Sequence, residues 1–270
     1  MLVNILRKVL FIFIRKLERH PQFILLILNN IIHFKFFLPH DKDYYGIKKI
    51  FRNNVNSFLD IGANTGTSTL AFRRMGFTNK IHLFEPNYFL FKKFLKKIKK
   101  KDSNIFIHNL ALGSKNSKLN FFLPFINGKF IHYFSSFSKD YLKNSCLNTF
   151  PNKKIVIKKK IIKIKKFDDL SIKESIDFVK IDTEGHDFQV IKGMKRTIKK
   201  YKPVFLIEYN NLLHSKIVKE LKNYFPYYYN LEKNLLIKIK KINPINFDRF
   251  GHLNSLSVRN IYFIHKDKKY

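Results

Sequence analysis

The sequence predicts an α/β fold: a mostly parallel sheet flanked by helices, preceded by an N-terminal helical extension. Three observations carry that prediction. Strand-like and helix-like segments alternate through the middle of the chain, as in a parallel sheet built from crossover units. The apolar run Phe58-Leu-Asp-Ile leads into Gly-Ala-Asn-Thr-Gly and then a segment that can be helical, which is how a nucleotide-type cofactor is gripped at the carboxyl edge of such a sheet. Four predicted strands end in an acid (Asp60, Glu85, Asp182 and Glu208), and Asn109 stands near the end of another.

The elements follow in chain order. Ser57–Ile61 reads as the first strand and Gly66–Met75 as a helix stopped near Gly76. Lys80–Phe84 is a second strand, closed by Glu85-Pro86. Tyr88–Lys101 is a helix with Phe91, Leu95 and Ile98 on one side and lysines elsewhere. Asn104–Leu112 reads as a third strand ended at Gly113. Residues 114–170 break the alternation: Lys118–Leu123 is a short strand, Pro124–Pro151 is irregular, and Lys153–Lys166 alternates Ile with Lys like a half-exposed strand. An insertion of this size at the ligand edge is a natural place for substrate specificity, or else a packed hairpin arm with no binding role. Asp177–Asp182 is a strongly apolar strand, followed by a helix from about His186 to Lys200. Pro203–Ile207 is a strand and His214–Tyr224 is helical, and Leu235–Ile239 and Asn260–Ile264 are final strands. The domain reading is an extension over residues 1–50 and one catalytic domain over 51–270.

The chain has 270 residues, 45% of them hydrophobic, enough for one substantial core and a small appendage. Its 53 Lys and Arg against 19 Asp and Glu give a net charge of +34. That balance favours acidic partners, though a coding sequence biased toward A and T would give the same richness in Lys, Asn, Ile and Phe. The single Cys146 excludes an intramolecular disulfide and a multi-cysteine zinc site and suits a reducing cytoplasm. Within residues 1–38, Asn4, Arg7, Lys8, Arg15, Glu18 and Arg19 fall opposite Leu6, Val9, Leu10, Phe13 and Leu17 on a helical wheel. Such a helix either lies peripherally on an anionic membrane, at its inner face, or packs on the protein's own body. Of the two apolar blocks there, Val9–Ile14 and Phe23–Phe34, the second is broken by Asn29, Asn30 and His33 and too short to span a bilayer, and no small-residue cleavage site follows the first, against a signal peptide.

The acids choose the cofactor. A carboxylate at Asp60 would repel a pyrophosphate, and Gly62 and Gly66 frame Ala63 and Asn64 as G-x-x-x-G, unlike the G-x-G-x-x-G of dinucleotide sites. S-adenosylmethionine (SAM) brings an ammonium and a sulfonium, both cationic, which four gathered carboxylates would welcome. Glu85 stands roughly 20 residues past the loop, where an acid commonly takes the ribose hydroxyls. Asp182-Thr-Glu-Gly-His-Asp187 is the second dense cluster. Asp182 and Glu184 share a side if the strand persists, and a helix N-terminus keeps His186 neutral and able to take a proton. Two plainer roles stay open: Asp187 or Glu184 capping the helix, and His186 satisfying a backbone group. Hard oxygen ligands also make Mg²⁺ conceivable there, without other support.

Phe58-Leu-Asp-Ile-Gly-Ala-Asn-Thr-Gly, Leu83-Phe-Glu-Pro-Asn87, Asn109-Leu-Ala-Leu-Gly113, Phe167-Asp-Asp-Leu170, Val179-Lys-Ile-Asp-Thr-Glu-Gly-His-Asp187 and Ile207-Glu208 together resemble the FkbM family of SAM-dependent methyltransferases. The resemblance runs from about residue 50 onward; it does not cover the N-terminal helices and touches 124–151 only loosely. The family often has Glu where this chain has Asp187. What the resemblance implies is a Rossmann-like class I SAM methyltransferase fold that methylates an oxygen, often on a sugar or glycolipid precursor of polysaccharide biosynthesis. Asp60, Gly62, Ala63, Asn64 and Gly66 would form the SAM loop, Glu85 the ribose contact, and Asn109 or Ala111 would lie near the adenine. Asp182 would stand nearest the methyl group, with Glu184 and His186 as further catalytic candidates. This reading counts against nucleic acid as the substrate: the place where amino-directed nucleic-acid methyltransferases usually resemble Asp/Asn-Pro-Pro-aromatic reads Ile-Asp-Thr-Glu-Gly-His. A non-catalytic, membrane-associated protein keeping the cofactor fold is the remaining alternative.

Overall fold

A computed structural model describes residues 41–51, 55–150, 152–208, 211–239 and 260–268. The amphipathic segment predicted within residues 1–38 lies outside the described residues. No described helix is long and apolar enough to cross a membrane.

The main sheet has eight strands. Five run parallel: β1 (Ser57–Ile61), β2 (Lys80–Phe84), β3 (Ile105–His108), β8 (Phe178–Ile181) and β9 (Val204–Glu208). Three more complete it: β10 (Tyr224–Asn230), β11 (Leu235–Lys238) and β12 (Asn260–His265), each antiparallel to its sheet neighbours. The spatial order is β11-β10-β12-β9-β8-β1-β2-β3. From β1 the chain steps outward through β2 to β3, then returns to place β8 on the other flank of β1. The crevice outside the carboxyl ends of β1 and β8 is therefore the topological switch point, where open α/β sheets bind ligands.

Alternation explains the two cores. Leu59 and Ile61 point to one face, where Val179, Ile181, Phe205 and Ile207 join Val190 and Ile191 of helix α5 (Asp187–Lys192) and Met194, which caps helix α6 (Lys195–Tyr201). Phe58 points to the other, among Phe72, Phe77 and Phe178, with ring centroids 5.3, 5.2 and 4.9 Å away. Each such side chain contributes about 1.5–3 kcal/mol by leaving water. Phe72 belongs to α2 (Thr67–Arg74), the helix that follows the glycine loop; α1 (Gly46–Phe51) precedes β1 and α3 (Lys96–Lys101) precedes β3. Residues 41–51, the first described segment, pack on this second face: Tyr44 and Ile47 are buried, and Asn260 donates its backbone N–H to Asp43 Oδ2 at 2.7 Å.

A second sheet of four strands, β4 (Ala111–Leu112), β5 (Ser117–Ile126), β6 (Lys129–Phe130) and β7 (Ile155–Lys165), forms an arm in the order β4-β7-β5-β6. Five expectations need correction here. The predicted strand 104–112 is two strands in different sheets, because Asn109 leaves the ladder to donate its side-chain amide to the carbonyls of Glu85 and Pro86. The predicted strand 118–123 runs on to Ile126, paired with β7 along its whole length. Residues 124–151 are not irregular throughout, since Lys139–Thr149 is a helix, α4, capped by Ser138 Oγ on the Tyr141 N–H. The helix predicted from His186 to Lys200 breaks at Gly193, which approaches Gly113 so closely that a Cβ would lie 2.1 Å from the Gly113 carbonyl oxygen. The helix predicted to run to Tyr224 ends at Glu220, and Tyr224 opens strand β10.

Candidate functional site

The loop after β1 is stitched to the end of β2. The N–H groups of Gly62 and Ala63 both donate to the Phe84 carbonyl at 3.0 Å, and the Gly66 N–H donates to Ala63 at 2.7 Å. Gly62 has φ +79°, and a Cβ there would lie 1.9 Å from the Asp182 carbonyl oxygen, so only glycine lets the loops after β1 and β8 meet. Asn64, at φ +51°, donates its N–H to Glu85 Oε2 at 2.8 Å.

Glu85 is buried at the head of β2 and accepts a second backbone N–H, from Asn87, on Oε1 at 2.8 Å. Burial pushes its carboxyl up to about 7, against the pull of the Asn87 and Asn64 N–H groups. Each oxygen keeps acceptor capacity beyond its one N–H, as a diol-binding carboxylate requires.

Asp60 sits differently from a surface acid. It is fully buried, accepts the Thr69 hydroxyl at 2.8 Å, and lies 3.7 Å from the Lys180 ammonium. Lys180 occupies the register position opposite Asp60 on β8, so both side chains leave the sheet on one face. Lys180 also donates to Asp182 Oδ2 at 3.1 Å. Burial works against its charge, but Asp182 and Asp60 outweigh burial and hold the ammonium above the ordinary lysine range. Sequence reasoning missed Lys180. A lysine inside an apolar central strand was the available signal, since such a group must find a partner.

Beyond β8, oxygens of Asp182, Glu184 and Glu208 lie within 4.8 Å of one another, each carboxylate partly exposed. These three are the described residues with the donor set for a hard cation such as Mg²⁺. Two neighbours in sequence stand apart from them. Asp187 is buried and accepts both the N–H and hydroxyl of Thr183, at 2.9 and 2.7 Å, so it fastens the loop. The His186 ring lies on Phe137, centroids 4.7 Å apart, with its Nε2 toward Gly113, and desolvation lowers its pKa to about 4, leaving it neutral. Asn109 braces the Glu85-Pro86 turn, and Ala111 is buried in β4.

The arm reaches both loops. His132 Nδ1 lies 2.7 Å from Asn64 Oδ1, and the Ser136 hydroxyl donates to the Glu184 carbonyl at 2.6 Å. The Tyr141 ring covers Gly185, where a Cβ would lie 3.2 Å away. Burial raises the Tyr141 phenol, and the charges of Glu184, Glu208, Asp187 and Asp182 add to that effect. His132 and Tyr141 had no motif to announce them. For α4 the available signal was Ser138 followed by Leu142 and Cys146, four residues apart and both buried.

The arrangement can therefore seat a ligand with a diol against Glu85 and a cationic or hydroxylic group against Asp182, Glu184 and Glu208. The solved structure of the methyltransferase FkbM from Methylobacillus flagellatus KT is similar at 16% identity and a TM-score of 0.47, covering 77% of this chain and 43% of that one. The chain thus spans less than half the length of that protein. Precorrin-6y C5,15-methyltransferase from Geobacter metallireducens GS-15 is similar at 13% identity and a TM-score of 0.36, covering 77% of each chain. No curated protein matches the sequence. The methyltransferase FkbM domain matches residues 60–229, from the buried acid of β1 through the last tyrosine of β10 and so across every loop of the site. The chain belongs to the FkbM methyltransferase family.

Proposed function

We propose that the protein is a SAM-dependent O-methyltransferase acting on a sugar hydroxyl in a glycan, glycolipid or polysaccharide precursor. The observation that carries the reading is the meeting, at one switch point, of the Gly62–Gly66 loop, the buried Glu85 carboxylate and the Asp182–Glu184–Glu208 group. These residues fit SAM chemically: Glu85 offers acceptors to a ribose diol, and three carboxylates offer a counter-charge to a cationic ligand. SAM, when bound, supplies an electrophilic methyl group on a positively charged sulfur.

The chain's own residues supply the rest. An attacking hydroxyl must lose its proton, and Asp182, steered by its Lys180 hydrogen bond, is the best placed acceptor. His186 is neutral, but its Nε2 is enclosed beside Gly113 and lacks a hydrogen-bond partner, so it is less suited to receive that proton. The arm contacts at Asn64 and Glu184 would fix acceptor and donor halves relative to each other, and holding reacting groups in line is a large part of such catalysis. A hydroxyl-rich sugar suits a mouth lined by carboxylates, whereas a polyanion such as RNA is repelled there. We further propose that residues 1–38 make peripheral contact with an anionic membrane, on its cytoplasmic side.

Calorimetry with SAM and transfer of labelled methyl to a panel of sugars and lipid-linked sugars test this. Glu85→Ala should weaken SAM binding about tenfold or more, the scale of a lost hydrogen bond to a charged group. Asp182→Ala should abolish turnover. SAM affinity unchanged in Glu85→Ala would overturn the ribose assignment, and methyl transfer to RNA or protein in place of sugar would overturn the acceptor class.

A further inference from the structure

The arm carries a bare face that the methyl-transfer reading does not use. In the β5–β7 ladder, Lys118 stands opposite Lys163, Asn120 opposite Ile161, and Phe122 opposite Lys159. Side chains alternate, so Lys118, Asn120, Lys159, Ile161 and Lys163 share one face, and all five are exposed. Ile161 is 71% exposed, more than any other large apolar side chain among the described residues. Further toward the tip the same face is covered: Ile126 and Ile155, another opposed pair, pack with Ile131, Phe134 and Phe150. The opposite face turns Phe121, Leu123 and Ile164 inward, while Leu119, Lys158 and Lys160 at its rim are exposed.

Two features of the bare half suit an anionic apolar boundary. Lys118 and Lys163, directly opposite on neighbouring strands, repel each other until an anion lies against them. Ile161 sets an uncovered aliphatic group among the lysines of this face.

We infer that this face docks on an anionic lipid bilayer, the lysines against headgroup phosphates and Ile161 at the acyl boundary. Charge complementarity selects the occupant. A second copy would bring the same lysines against these, and residues 1–38 carry six basic residues against one acidic, so both repel the face. A soluble polyanion would satisfy the lysines but leave Ile161 in water, whereas a bilayer satisfies both. Because the same arm holds Asn64 through His132 and Glu184 through Ser136, docking would bring both site loops to the membrane surface, where, on the function proposed above, a lipid-linked acceptor would lie.

The test is sedimentation of the full-length protein with vesicles of phosphatidylcholine containing about one-third phosphatidylglycerol, at about 0.1 M salt. Each of Lys159→Gln and Lys163→Gln should lower the partition coefficient about fivefold, the equivalent of ~1 kcal/mol per lysine. Ile161→Ser should lower it several-fold while leaving binding to polyuridylate unchanged. All three positions are exposed, so the variants should fold, and an unchanged circular dichroism melt checks this. Partition unchanged in the variants would overturn the proposal and leave residues 1–38 as the membrane contact. A loss of polyuridylate binding in the lysine variants, with vesicle binding unaffected by Ile161→Ser, would overturn it in favour of a nucleic-acid surface.

Discussion

Glu85 joins the loop after β1 to the turn after β2, and its protonation decides what it can hold. Its folded pKa of about 7 lies above the ordinary carboxyl value of 4.5. The stability contributed by the bound proton is therefore fully present below the unfolded pKa and lost as pH rises through about 7. Ligand binding has the opposite sign, because a ribose diol donates to the ionised form. Apparent SAM affinity should rise about tenfold between roughly pH 6 and pH 8, since the competent fraction rises by that factor. Glu85→Gln should flatten the profile, and a flat profile in the unaltered protein would remove Glu85 from the ribose contact. Position and chemical type of Glu85 were legible in the sequence from its distance to the glycine loop. Its backbone partners were not, because they depend on the left-handed turn at Asn64. Asp60 was legible as an acid at a strand end, but its burial against Lys180 was not. That pairing follows from strand register, which adjoining strands set together and neither one encodes alone.

At the scale of elements, the strands of the main sheet were the most legible part. β1 and β2 have the expected bounds because buried parallel strands read as mostly apolar runs closed by punctuation, even with Asp60 and His82 inside them. The helix pair α5 and α6 was less so, because its break is caused by a neighbour. Gly193 has ordinary negative φ, yet a Cβ there would meet the Gly113 carbonyl oxygen, whereas Gly76 has φ +93° with open space around it. Gly193→Ala should therefore cost about 3 kcal/mol by forcing backbone apart, and Gly76→Ala about 1 kcal/mol by conformational strain alone. Urea midpoints compare the two, and equal losses would show that the Gly113 approach does not constrain the junction. The same reasoning explains why α4 was not foreseen. Its apolar stripe is confined to Leu142 and Cys146, and its place is set by contact with Gly185 and β5. β10 was obscured by Pro226 within a tyrosine run, a residue tolerated there because it stands opposite Phe263 of β12 before the β11 ladder begins at Tyr227.

Across the whole molecule, charge is partitioned as well as unbalanced. Asp41, Asp43, Asp60, Glu85 and Asp187 are buried, whereas Lys180 is the single buried lysine or arginine among the described residues. Folding thus draws acids inward and leaves a surface more positive than the net +34 of the sequence implies. Long-range repulsion between those lysines opposes compaction, and exposed pairs such as Lys80–Glu174 at 2.8 Å offset little of it. Salt should therefore stabilise this fold. The melting temperature should climb by several degrees as sodium chloride rises from about 0.02 M to 0.3 M, then level off as the screening length falls below the spacing of neighbouring lysines. Neutralising Lys118 or Lys163 should reduce the climb, because these two stand opposite one another in the β5–β7 ladder. A melting temperature that falls with salt would mean that surface ion pairs outweigh the repulsion, and the lysine excess would then have to be read as locally compensated.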